Sequence, residues 1–200
     1  IREIYFDDTN SVNFIDGVTP PGTQTFLRTF LRTEEYKQIV EERNFIERYK
    51  KQFEHLAYPP VFVTADAVVI QSGHVLMVTR RSEPGKGQLA FPGGFLNAKS
   101  DKSMEECMIR ELYEETKIKV PQPVIRGNIK DSRVFDDPER SSRGRTITHA
   151  FKVVLRDENE LPKVKGSDDA LHARWIPIGD VGRDQCFEDH YDILQWAIGN

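Results

Sequence analysis

Two hundred residues, 38% of them hydrophobic, suffice for one ordinary globular domain and a remainder, and need no disulfide or structural metal to hold a core. No apolar run approaches the roughly 18 residues of a membrane span. A formal net charge of -4, from 28 Lys and Arg against 32 Asp and Glu, argues against a general nucleic-acid binder while leaving room for a local basic loop on a phosphate.

The two cysteines, Cys107 and Cys186, form no CxxC pair, and no signal-type segment precedes them, which points to a reducing, cytoplasmic setting. Ile1 is not an initiator methionine, so a piece of a longer protein is expected. Thr33 to Leu56 reads as one long helix, with Thr33 as N-cap before Glu34 and Glu35 and with Ile39, Ile46 and Phe53 on one stripe. That stripe needs a partner surface, and a homodimer is the expectation. Tyr58-Pro59-Pro60 stops the helix and separates a helical segment, 1–57, from the main domain, 58–200. Val61 to Ile70 and Val75 to Thr79 then form a hairpin across Ser72-Gly73, and Arg80 to Phe91 is loop. A helix over Ser103 to Thr116 follows. Strands are predicted at Val124 to Phe135, Thr146 to Leu155 and His172 to Ile178, with a closing helix at Asp189 to Ile198. Strands outnumber crossover helices, so the fold class is α/β of the α+β kind: a mixed sheet between helices, with an N-terminal helical extension.

Chemistry shows at Arg110-Glu111-Leu112-Tyr113-Glu114-Glu115. At about 100° per residue the three glutamates crowd roughly one quadrant of a helix, in its last turn, where neighbouring anions repel and the helix dipole disfavours each of them. Glu115 also borders the apolar side marked by Met104 and Met108, where an unpaired carboxylate is costly. One reading is a solvated acidic face neutralised by Arg110, Lys117 and Lys119. The other is a site for a hard divalent cation, Mg²⁺ or Mn²⁺, which takes carboxylate oxygens and shares its remaining positions with water and phosphate.

Phe91-Pro92-Gly93-Gly94 stands just upstream, where two glycines allow a tight turn and close approach of backbone carbonyls. With the helix that follows, it resembles the signature of the Nudix hydrolases: Gly94 opens the box and Arg110-Glu111-Leu112-x-Glu114-Glu115-x-Lys117-Ile118 closes it. Two departures stand out. The loop carries two extra residues and the slot of the isolated glutamate holds none, with Asp101 or Glu105 as the substitutes, and Lys117 replaces the closing glycine. The resemblance implies that Glu111, Glu114 and Glu115 are metal ligands, helped by a carbonyl of Gly93 or Gly94, and that Arg110 holds a glutamate in position.

Further segments, Arg81-x-Glu83-Pro84-Gly85-Lys86-Gly87, Phe135 to His149 and Gly166 to Ala170, resemble the Nudix half of bifunctional nicotinamide mononucleotide adenylyltransferase/ADP-ribose pyrophosphatases. Ile1-Arg2 with Tyr5-Phe6 is similar to the end of the transferase half. The His-x-Gly-His motif of such transferases is absent, so hydrolysis without adenylyl transfer is expected. The implied reaction is metal-dependent hydrolysis of ADP-ribose to AMP and ribose 5-phosphate. The implied substrate contacts are Arg81, Lys86, Phe135, Arg140, Arg143 and Arg145. Arg140, Arg143 and Arg145 read either as a solvated basic loop or as a grip on the diphosphate, for which arginine is well shaped. Phe135 either stacks on adenine or belongs to the core. Asp168 and Asp169 are a turn or N-cap, or else they orient the attacking water or complete the metal set, and Glu115, Glu111 and Asp168 are the candidate bases. The remaining alternatives are an ADP-ribose sensor without turnover and a hydrolase of another nucleoside diphosphate derivative. The expected partner is a small molecule, not nucleic acid or membrane.

Overall fold

The computed structural model describes residues 20–158, 160–166 and 170–199. The chain divides at His55/Leu56 into two compact units. In the first, α1 (Pro21–Phe30) and α2 (Glu34–Lys51) close a small cluster of Leu27 and Phe30 on Leu31, Tyr36 and Ile39. Thr33 caps α2 as expected, its hydroxyl accepting the Tyr36 amide N–H at 3.2 Å. The helix ends at Lys51, sooner than the apolar spacing suggests. Helix α1 was not legible as one. A proline at its first position is preorganised for helix, and Leu27 and Phe30 share a face.

The second unit is built on β1 (Phe62–Gln71) and β2 (His74–Arg80), the expected hairpin across Ser72-Gly73. Strands β3 (Leu89–Ala90) and β4 (Gly93–Phe95) follow, then α3 (Met104–Thr116), α4 (Gln122–Gly127), β5 (Ile129–Phe135), β6 (Thr146–Val154), β7 (Ala170–Pro177) and α5 (His190–Ile198). Among the described residues the sheet runs β3-β2-β1-β6-β5, with β4 also on β1 and β7 also on β2. The β1/β6 pair is parallel and the other pairs are antiparallel, so the sheet is mixed, as predicted.

Alternation along the buried β1 strand divides the core into two layers. Ala65, Ala67 and Val69 meet Cys107, Met108, Ile109 and Leu112 of α3, while Val68 shares the opposite layer with Ile193, Leu194 and Ala197 of α5. Helix α4 replaces the start of the strand predicted at Val124. Pro121 and Pro123 set a helical first turn, which β-branched Val124 and Ile125 had masked. Among the described residues no helix is long and apolar enough to cross a membrane.

Helix α3 begins at a Ser103 cap, whose hydroxyl accepts the Glu106 amide N–H at 3.1 Å, and it ends with Lys117 in left-handed backbone at φ 47°. A side chain there costs about 1–2 kcal/mol, part of which glycine returns through its freer unfolded chain. Lys117→Gly is therefore expected to raise unfolding stability by about 0.5–1 kcal/mol, read as a higher urea midpoint at unchanged slope.

Candidate active site

Strand β4 pairs with β1 so that Gly93 faces Asp66 and Gly94 faces Ala65, which fixes the glycine turn against the centre of the sheet. Helix α3 lies across the same place, and its carboxylates meet the turn. Glu115 accepts the Gly93 amide N–H at 3.1 Å. Its carboxyl is pushed up to about 8, mainly by burial, with the negative charges of Glu111 and Asp66 adding to the rise against the Gly93 hydrogen bond. Burial also raises Glu111, against the pull of Arg110. The Glu111 carboxylate lies so close to Gly94 that a Cβ on that residue would come within 2.5 Å of Oε1, and a Cβ on Gly93 would collide with Asp66. Because the far end of Glu111 can swing away, Gly94→Ala is expected to change stability by under about 1 kcal/mol. It should still lower activity at least about tenfold by displacing that carboxylate, a split that paired denaturation and rate measurements would show.

Arg110 organises the acidic face. Its Nε and Nη2 donate to Asp101 Oδ1 and Oδ2 at 2.9 and 2.8 Å, its Nη1 donates to Glu111 at 2.7 Å and Glu114 at 3.0 Å, and its Nη2 also reaches the Phe95 carbonyl at 3.1 Å. The fork holds the Asp101 carboxyl well below the usual carboxylate range. Of the two substitutes offered for the isolated glutamate, Asp101 is the one that meets Arg110, whereas Glu105 turns to Arg126. Glu114 is half exposed and tied to Arg110.

Glu111, Glu115, Gly93 and Gly94 line one cavity of about 330 Å³ together with Arg80, Arg81 and Arg143. A smaller adjoining cavity of about 70 Å³ is lined by Asp66, Arg140, Arg143, Glu188 and His190. The larger groove of about 1100 Å³, near Lys119, Leu155 and Lys163, contains none of the α3 carboxylates. No three Asp, Glu, His or Cys side chains among the described residues cluster tightly enough to enclose an ion by themselves. Two carboxylates and the adjacent turn carbonyls nevertheless suit Mg²⁺ or Mn²⁺, which keep several positions for water and substrate oxygens. The disfavoured ionisation of Glu111 and Glu115 is what an added cation would relieve.

The other candidates separate. Arg143 lines both cavities, with its guanidinium 5.2 Å from the Phe95 ring centroid and 6.0 Å from that of Phe187. Its Nε is buried with no hydrogen-bond partner, as is Nη1 of Arg145, which lines neither cavity. Arg140, with its side chain only 4% exposed, is held by Asp189 through two bonds of 2.8 and 2.7 Å. Lys86 is exposed and lines neither cavity. Phe135 sets its ring edge-on to Trp196 at 5.7 Å, in the core layer under α5. Asp168 and Asp169 lie outside the described residues, as does the segment of Ile1 to Phe6.

Sequence reasoning missed Asp66, Arg80, Glu188, Asp189 and His190. Asp66 carried a signal, a lone carboxylate inside the apolar run Val61 to Ile70. It is buried, hydrogen-bonded by the Thr148 hydroxyl, and pushed up to about 6 chiefly by burial. Arg80 spreads over the Phe187 ring at 4.0 Å and donates to the Pro84 carbonyl at 2.8 Å. His190 accepts the Phe91 amide N–H on Nδ1 at 3.0 Å, and burial keeps it neutral.

The family model of the NUDIX domain matches residues 61–197. The ADP-ribose pyrophosphatase of Methanocaldococcus jannaschii is 27% identical over 168 residues, covering 82% of this chain and 86% of that protein. The ADPR responsive transcriptional repressor NtrR of Acinetobacter baylyi is 26% identical over 161 residues, covering 78% and 59%. Among solved structures, the bifunctional NMN adenylyltransferase/ADP ribose pyrophosphatase of Francisella tularensis, complexed with AMP and a manganese ion, aligns with a TM-score of 0.83. It is 35% identical, over 94% of this chain and 59% of that one. The chain therefore spans about three fifths of the length of the Acinetobacter and Francisella proteins.

Proposed function

The chain belongs to the NUDIX domain family, and from that premise we propose that it hydrolyses the diphosphate of ADP-ribose to AMP and ribose 5-phosphate with Mg²⁺ or Mn²⁺ bound. The observation that carries the reading is one cavity in which two half-buried carboxylates against a glycine turn face the guanidiniums of Arg80 and Arg143. The pyrophosphatase similarity of the Methanocaldococcus and Francisella proteins supports the substrate.

In this reading Glu111 and Glu115, on the cavity wall, would hold the ion with the Gly94 carbonyl, Glu114 would join them by turning in from its bond to Arg110, and Arg110 fixes Glu111 and Glu114. The bound cation supplies charge for the phosphate oxygens and a lower pKa for water. Water attacks one phosphorus, the bond from that phosphorus to the bridging oxygen breaks, and its electron pair leaves on the departing phosphate. Arg143 and Arg81, on the cavity wall, offset the charge that builds on the two phosphates. Arg80 adds a third guanidinium, held open towards the cavity by Phe187 and Pro84. Glu115 or Glu111 accepts the proton of the attacking water, with Asp168 the further candidate.

AMP release from ADP-ribose and Mg²⁺, followed by chromatography, tests the proposal. Release that chelator abolishes is the expected result. Thermal stabilisation by ADP-ribose with no AMP formed would favour instead the binding-only reading that the repressor's similarity suggests. Faster cleavage of another nucleoside diphosphate derivative in a substrate panel would move the activity to that compound.

A further inference from the structure

Glu188 precedes α5 in left-handed backbone at φ 44°, a conformation that a non-glycine side chain adopts at a cost. Its carboxylate reaches across to the arginine loop, accepting the Ser142 amide N–H at 3.1 Å and lying 3.5 Å from the Ser142 hydroxyl. The next residue, Asp189, grips Arg140 with both oxygens. Two consecutive carboxylates thus fasten the loop on both sides of Ser141, and Arg143 follows immediately. Arg143 is the loop's contribution to both cavities, and its buried Nε has no acceptor among the described residues. Neither Arg80 nor Arg143 has a carboxylate within ion-pair distance among those residues, and Glu188 and Asp66 attract them only from farther off, which leaves both guanidiniums open to a closer anion in the cavity.

We propose that Glu188 is a positioning residue: through the Ser142 amide it sets Arg143 where its guanidinium meets a diphosphate oxygen of the substrate. The assignment of that diphosphate to ADP-ribose rests on the hydrolase reading, while the placement of Arg143 does not. Burial raises the Glu188 carboxyl, and Arg143 and Arg140 oppose the rise, in keeping with a carboxylate that faces this loop.

The test measures ADP-ribose turnover, and the binding of ADP-ribose and of inorganic pyrophosphate, in Glu188→Ala, Glu188→Gln, Arg143→Ala and the Glu188→Ala/Arg143→Ala double variant. Melting curves check folding. Glu188→Ala is expected to weaken both ligands and raise KM by about tenfold, with kcat within about threefold. Glu188→Gln, which keeps an oxygen for the Ser142 amide, should recover most of that affinity, and the double variant should bind no worse than Arg143→Ala alone. Parental binding by Glu188→Ala, additive losses in the double variant, or pyrophosphate binding that ignores Arg143 would overturn the proposal. So would a kcat loss of about 100-fold in Glu188→Gln, which would put the carboxylate in the chemistry itself. Should Glu188→Ala fail to fold, Glu188→Asp, one methylene short of Ser142, carries the same comparison. A parent that binds pyrophosphate through Arg143 but leaves ADP-ribose intact would refute the hydrolase reading and leave this one standing.

Discussion

Glu115→Gln is expected to lower kcat for ADP-ribose by about 10³-fold while leaving the fold intact, because it removes one carboxylate from the proposed metal and proton-accepting set and preserves its shape. The same variant carries a stability signature. The folded carboxyl lies near 8, above the ordinary value, so the folded protein holds its proton more tightly than the unfolded chain does. That contribution is complete below about pH 4.5, fades as pH rises through 8, and is flat beyond. Metal-free Glu115→Gln should therefore melt progressively higher relative to the parent as pH is raised from 5 to 9. Divalent cation binds the ionised form, so its affinity for the parent should climb over the same interval and Mg²⁺ should reverse the order of melting temperatures at pH 9. Melting curves at three pH values, with chelator and with Mg²⁺, read both effects.

Arg110→Ala should be the most damaging single change to stability in the acidic face. It strips the cation from Asp101, whose side chain is 4% exposed, and from Glu111 and Glu114 at once. Removing one partner of a buried pair costs about 3–5 kcal/mol, and the quarter exposure of Arg110 itself brings the expectation to about 2–4 kcal/mol. Arg110→Lys keeps the charge but not the fork that spans both Asp101 oxygens, and should fall between the two. The sign with pH is opposite to that of Glu115. The Asp101 carboxyl is held low, so its stabilisation is present above about pH 4 and is lost as acid protonates it. The gap between parent and Arg110→Ala in urea unfolding should be wide at pH 7 and narrow towards pH 3.

What could be read in advance was mostly what local chemistry decides. Thr33 and Ser103 cap their helices, Ser72-Gly73 turns the hairpin, and the spacing of Glu111, Glu114 and Glu115 announced a crowded face. Sequence reading failed at one local balance and, elsewhere, where the deciding partner lay outside the segment being read. Val124 and Ile125 looked like strand, but Pro121 and Pro123 outweighed them. Arg140, Arg143 and Arg145 were indistinguishable in sequence, yet one is tied to Asp189, one lines both cavities, and one lines neither. The choice between Asp101 and Glu105 depended on which carboxylate Arg110 could span and which Arg126 would take. Asp66 and Glu188 enter the site only because β1 pairs with β4 and the loop before α5 meets the arginine loop.

Whether the carboxylates of α3 at the glycine turn hold the divalent ion is read by titrating Mn²⁺ and following the loss of its free-ion paramagnetic resonance signal. Saturable binding by the parent at pH 8 and its loss in Glu111→Gln/Glu115→Gln are expected. Equal Mn²⁺ binding by that double variant, with its fold intact, would contradict that role for the carboxylates.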